Sequence, residues 1–122
     1  MFLGIDHPAV AAERPETLAQ WYVDNLGYGV HTHTEKNVWI LRAPDGTLLE
    51  VMPRDDTPRP ARTTWTPGWS HLALRVANLE KASRELESKG IPLAPPVPAI
   101  GGGMLRNFTD PEGNMLQIVQ RG

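Results

Sequence analysis

Two histidines, a glutamate and a glutamine stand at matching positions of a chain that repeats itself. They are His7 and Glu50 in the first half and His71 and Gln117 in the second half. The offset is 71 − 7 = 64 for the histidines and 117 − 50 = 67 for the other pair. Two imidazoles, a carboxylate and an amide oxygen suit a borderline divalent cation such as Ni, Zn, Mn, Co or Fe. We therefore predict that these four side chains bind one divalent metal ion. Two positions of an octahedral ion would then remain for neighbouring oxygens of a small-molecule substrate.

Each of these residues also has an ordinary structural interpretation. A lone histidine in a strand usually completes a hydrogen bond, and a lone glutamate usually lies at the rim of a sheet. Gln117 alone would be a common polar residue, and it is the weakest ligand of the four. The repetition favours the metal site, because four coordinating side chains at equivalent positions are not expected by chance.

The repeat is clearest in two segments, 43–54 and 110–121, which align at a constant offset. Both contain Pro-acid-Gly, then an apolar stretch and an arginine, and 111 − 44 = 67 equals 121 − 54 = 67. Proline presets φ and glycine supplies a positive φ, so Pro-acid-Gly predicts a tight turn. The apolar stretch predicts a strand that leaves a hairpin. Glu50 interrupts this strand in the first copy and Gln117 interrupts it in the second.

Around these hairpins the chain reads as strand, helix and three strands, twice over. We predict a single domain over 1–122, made of a first module at 1–53, a Pro-rich polar linker at 54–68 and a second module at 69–122.

The first strand of each module is predicted at 2–10 and at 69–76, so that each contains one of the two histidines. Asn78 is a good N-cap for the second helix. The Pro- and Gly-rich segment 95–103 is predicted as a mobile loop.

Alternation along the strands separates a face that packs on the helices from a face that carries Glu50 and Gln117. The residues predicted on the helix face are Leu49, Val51, Leu72, Leu74, Val76, Leu116 and Ile118. We predict an α+β fold in which two βαβββ modules form a curved, mostly antiparallel sheet, a cup, with the helices on the convex face. The path of the linker decides whether the cup closes within one chain or between two.

Composition excludes several classes of function. The 122 residues carry a net charge of −2 with mixed signs, which gives no electrostatic footprint for nucleic acid or an anionic membrane. There is no cysteine, so disulfides, thiol nucleophiles and cysteine metal sites are excluded. No apolar run approaches the length of a membrane span, and the N-terminus lacks a secretory pattern. We therefore expect a cytoplasmic protein.

Taken together, these features resemble the vicinal oxygen chelate superfamily, the group of glyoxalases, bleomycin-resistance proteins and extradiol dioxygenases. The segment 108–114 matches the Phe-x-Asp-Pro-acid-Gly-Asn signature of that family, and the resemblance covers essentially the whole chain. The family's metal positions fall on His7, Glu50, His71 and Gln117. One departure is that glyoxalase I members usually carry glutamate where this chain has Gln117.

The resemblance implies a metal-dependent isomerase or lyase that acts through an enolate on a small oxygen-chelating substrate. Glu50 is then the candidate catalytic base, because an amide such as Gln117 cannot accept the proton. Two alternatives remain: an Fe(II) dioxygenase that uses His7, His71 and Glu50, and a drug- or metabolite-binding protein without catalysis. A homodimer is also predicted, because pairing would cover the open sheet edges and because family members of this size commonly form dimers.

Overall fold

The computed structural model describes the whole chain, Met1–Gly122, as two compact units. The first unit is Met1–Arg59 and the second is Pro60–Gly122, so the boundary lies inside the Pro-rich segment 54–68. Each unit contains one helix and four strands in the order strand, helix, three strands. The predicted α+β fold of two βαβββ modules is therefore confirmed.

The first unit is a four-stranded mixed sheet with one helix packed on it. Its elements are β1 (Ala9–Ala12), α1 (Pro15–Leu26), β2 (Gly29–His33), β3 (Trp39–Arg42) and β4 (Leu48–Pro53). The strand order is β1-β4-β3-β2. The β1–β4 pair is parallel, whereas β2–β3 and β3–β4 are antiparallel.

The second unit repeats this plan. Its elements are β5 (Leu72–Arg75), α2 (Leu79–Ser88), β6 (Val97–Pro98), β7 (Met104–Thr109) and β8 (Met115–Gln120). The strand order is β5-β8-β7-β6, with β5–β8 parallel and the other two pairs antiparallel. Neither α1 nor α2 is long and apolar enough to pass through a lipid bilayer.

The helices begin and end where their local chemistry dictates. Pro15 opens α1, where its fixed φ suits the first turn, and Gly27 closes it with a φ of 77°. The side chain of Asn78 caps α2 by accepting a hydrogen bond from the backbone N–H of Lys81 at 2.9 Å.

The core of each unit lies between its helix and one face of its sheet. Leu18 and Tyr22 of α1 are buried, and α1 contacts β3 and β4. Four of the residues predicted on the helix face are buried, with exposed fractions of at most 3%: Leu49, Val51, Leu116 and Ile118. Burial of these side chains fixes the register of β4 and β8, since a shift by one residue would turn them outward. The other three, Leu72, Leu74 and Val76, are only partly buried.

Both hairpins close with the same backbone hydrogen bonds, which confirms the repeat in three dimensions. In the first, the N–H of Ala43 donates to the carbonyl of Thr47. In the second, the N–H of Asp110 donates to the carbonyl of Asn114. The turn glycines lie three residues after Ala43 and Asp110, with φ values of 88° and 82°, which only glycine adopts without strain.

The predicted starts of the first strands are wrong. β1 begins at Ala9 rather than at residue 2, because Pro8 has no N–H to donate to the ladder. β5 begins at Leu72 rather than at residue 69. Both histidines therefore lie just before a strand and not within it. The segment 95–103 is not entirely loop, since it contains β6, which pairs with β7.

Candidate metal centre

The parallel pairing of β1 with β4 brings His7 close to Glu50. Ala9 is the register partner of Glu50, and the backbone N–H of Glu50 donates to the carbonyl of Pro8 at 3.0 Å. Since side chains alternate along an extended chain, His7 and Ala9 share a face, and this is the face of Glu50. The half-exposed carboxylate of Glu50 faces the His7 ring, with 3.9 Å between Oε2 and Nε2.

The other ring nitrogen of His7 is held by its sequence neighbour. Nδ1 lies 2.7 Å from Oδ2 of Asp6, a hydrogen bond in which the carboxylate accepts. The carboxylate of Asp6 raises the pKa of His7, partial burial of the ring acts in the opposite direction, and the negative charge of Glu50 raises the pKa further. With its proton on Nδ1, a neutral His7 presents the lone pair of Nε2 toward Glu50.

The second unit repeats the arrangement with different side chains. Ala73, two residues after His71, is the register partner of Gln117. The parallel pairing of β5 with β8 therefore puts His71 and Gln117 on one face of the sheet, as it does His7 and Glu50. Nδ1 of His71 is also bonded to the preceding residue, at 2.9 Å from Oγ of Ser70.

The structure thus brings His7 and Glu50 into contact distance and gives His71 and Gln117 the matching register. Within neither unit do three or more histidine, aspartate or glutamate side chains form a group that could hold a metal ion. The ligand set of four stays a prediction, and so does the role of Glu50 as a base.

Asp6 and Ser70 are the site residues that the sequence predictions missed. Both immediately precede a histidine, and both carry an oxygen that can bond Nδ1. The only signal in the sequence was the residue type, since a side chain that carries an oxygen precedes each histidine.

The geometry at His7 and Glu50 suits a metal ion better than a direct contact. A separation of 3.9 Å between Nε2 and Oε2 is too long for a hydrogen bond. Two ligand atoms of one tetrahedral zinc ion are about 3.3 Å apart, so a small rotation of either side chain would bring Nε2 and Oε2 to a common ion. An imidazole with a carboxylate behind its far nitrogen is also the usual support for a metal-binding histidine. The residues of this half therefore fit a divalent cation.

Comparison with known protein families identifies one family that matches this chain. The sequence profile of the family described as "Glyoxalase/Bleomycin resistance protein/Dioxygenase superfamily" matches residues 4–118, nearly the whole chain. No curated protein matches the chain significantly in sequence.

Solved structures of proteins with very different activities share the fold. A lactoylglutathione lyase from Agrobacterium tumefaciens has a TM-score of 0.74 and 15% identity, covering 96% of this chain and 92% of its own. TnmS3, an antibiotic-binding protein from a Streptomyces species, has a TM-score of 0.77 and 18% identity, and the match covers 99% of this chain and 98% of TnmS3. The fosfomycin resistance protein FosX from Listeria monocytogenes has a TM-score of 0.77 and 13% identity, and the match covers 100% of this chain and 96% of FosX. At these identities the likeness concerns the fold alone.

Proposed function

The chain belongs to the glyoxalase/bleomycin resistance protein/dioxygenase superfamily, and from this we propose that it is a metal-dependent isomerase or lyase. The proposed substrate is a small molecule with two neighbouring oxygen atoms. The proposed ligands of one divalent ion are His7 and Glu50 from the first unit and His71 and Gln117 from the second. The observation that carries the proposal is the pair His7–Glu50, with Nε2 facing Oε2 and Nδ1 bonded to Asp6.

The charges around His7 support a cation at this place. A neutral His7 that donates through Nδ1 turns a lone pair toward a carboxylate, and two acceptors facing each other repel unless a cation or a proton lies between them. Members of the superfamily usually use a divalent metal. The matching register of His71 and Gln117 supplies a second imidazole and a neutral oxygen donor.

The residues of the proposed site have separable roles. A bound divalent ion supplies a Lewis acid that polarises substrate oxygens and stabilises negative charge on them. Glu50 takes a proton from the hydroxyl-bearing carbon next to the substrate's carbonyl and returns one to the carbonyl carbon. The hydroxyl proton passes through solvent to the former carbonyl oxygen, so the isomerisation needs no redox partner. Gln117 cannot accept a proton, which leaves Glu50 as the single carboxylate among the four.

The first test is metal content, followed by proton exchange. The protein is stripped with a chelator, reloaded with one metal at a time, and incubated in heavy water with a panel of α-hydroxy and α-oxo carbonyl compounds. Metal-dependent deuterium incorporation next to the carbonyl, read by NMR, supports the proposal. Glu50→Gln should abolish it, while the matched control Glu35→Gln, at an exposed residue between β2 and β3, should not.

The same samples discriminate the two other functions. Oxygen consumption with catechols only in the iron-loaded protein would contradict isomerase chemistry in favour of the dioxygenase. A protein that takes up no metal under any condition would overturn the metal site and leave ligand sequestration as the better explanation.

A further inference from the structure

We propose that Asp6 and Ser70 are positioning residues that orient the two histidines for ligation through Nε2, and that Asp6 also fixes the tautomer of His7 in advance. This inference rests on the proposed metal site. It adds that the two histidines differ. The carboxylate of Asp6 fixes the tautomer of His7, whereas the hydroxyl of Ser70 allows either tautomer of His71.

The two contacts are equivalent in the two units. Asp6 and Ser70 lie before β1 and β5 and outside any strand, so the alternation of strand side chains does not direct them away from the following histidine. Here the carboxylate of Asp6 lies 2.7 Å from Nδ1 of His7, and the hydroxyl of Ser70 lies 2.9 Å from Nδ1 of His71. In both units the residue before the histidine therefore occupies Nδ1 and leaves Nε2 for a ligand.

The chemistry of the two partners differs. A carboxylate only accepts, so the hydrogen in the bond to Asp6 must be on Nδ1, and Nε2 of neutral His7 carries a lone pair. A serine hydroxyl can donate or accept, so the bond to Ser70 is compatible with either tautomer of His71. His7 is thus ready to bind a metal, whereas His71 must first have its proton on Nδ1.

The tautomers can be read without any metal. In chelator-treated protein at about pH 8, where histidine is largely neutral, ¹⁵N NMR should show His7 with its proton on Nδ1. Asp6→Ala should move His7 toward the tautomer protonated on Nε2, and Asp56→Ala, the matched change at an exposed aspartate, should leave it unchanged. A wild-type His7 protonated on Nε2 would overturn the inference, and so would a tautomer that Asp6→Ala leaves unaltered.

Metal affinity provides the second readout. Asp6→Ala should weaken binding by about 10- to 100-fold, the usual effect of losing the carboxylate behind a ligating histidine. Ser70→Ala should weaken it less, and the control Ser88→Ala should have no effect. Ser70→Asp should tighten binding by giving His71 the partner that His7 has. Metal binding by the wild type with unchanged affinity in Asp6→Ala would overturn this inference and leave the proposed function standing.

A wild type that binds no metal would instead refute the proposed function. The tautomer experiment would then decide the positioning role of Asp6 by itself.

Discussion

Glu50 and Gln117 occupy equivalent positions but differ in charge, and this difference should decide the metal affinity. Removing the negative charge in Glu50→Gln leaves a dication without a carboxylate ligand. We expect a loss of more than about a hundredfold, above the range for outer-shell partners. Gln117→Ala removes only a neutral donor and should cost about tenfold or less. Competition with a chelator measures both.

Adding a negative charge at Gln117 should have the opposite effect on metal affinity. Gln117→Glu adds a second carboxylate and should tighten the site. It also introduces the residue that the resemblance to glyoxalase I suggests, so a gain of isomerase activity on a glutathione hemithioacetal is expected. If Gln117→Ala proved as damaging as Glu50→Gln, the charge argument would be wrong.

The hydrogen bond between His7 and Asp6 gives the metal-free protein a specific pH dependence. Because the pKa of His7 is raised above 6.5 in the fold, the protonated ring stabilises the folded state. This stabilisation is complete below about 6.5 and is lost as the pH rises through the raised pKa. NMR titration of chelator-treated protein should give a pKa above 6.5, and Asp6→Asn should lower it. An unchanged pKa in Asp6→Asn would contradict the assignment of Asp6 as the main cause.

At the scale of elements, the two hairpins share a backbone pattern but differ in the aspartate that braces them. Asp110 is buried, and its carboxylate accepts hydrogen bonds from the backbone of Glu112 and from the backbone and side chain of Asn114. Asp45 is exposed, and its carboxylate accepts hydrogen bonds from the backbone and the hydroxyl of Thr47.

The difference predicts unequal effects on stability. Asp110→Ala leaves donors without partners in a buried place and should lower the free energy of unfolding by about 2–4 kcal/mol. Asp45→Ala, in the matched hairpin, should cost about 1 kcal/mol or less, since water replaces the lost partner. Denaturant unfolding measures both, and equal losses would show that burial of Asp110 does not matter.

The elements that sequence predicted well are those set by local chemistry. The hairpins, the glycine after α1 and the Asn78 cap all depend on φ preferences or on hydrogen bonds within a few residues. The start of β1 was wrong because strand ends depend on a distant partner strand, here β4. β6 was missed because its Val97–Pro98 sequence lies in a Pro- and Gly-rich stretch and is defined only by pairing with β7.

The candidate site divides in the same way. The repeat identified His7, Glu50, His71 and Gln117, because equivalent positions can be counted along the chain. The contacts of Asp6 and Ser70 depend on the rotamers of adjacent side chains, which spacing alone does not determine.

At the scale of the whole molecule, the exposed apolar side chains and open sheet edges favour self-association. Seven large apolar residues are at least 90% exposed and belong to neither core: Met1, Phe2, Leu3, Ile5, Trp65, Trp69 and Ile100. Strands at the edges of both sheets have unpaired backbone groups. We predict a homodimer at micromolar concentration, which sedimentation velocity would show as twice the 13.5 kDa chain mass. A monomer over the whole micromolar range would contradict it.

The central claim, that four named side chains bind one divalent ion, is tested most directly by anomalous diffraction from crystals of the metal-loaded protein. The account predicts one anomalous peak per site, about 2.0–2.2 Å from Nε2 of His7, Nε2 of His71 and a carboxylate oxygen of Glu50. The amide oxygen of Gln117 should be the fourth ligand. A peak held by other residues, or ligation through Nδ1 of either histidine, would contradict the account.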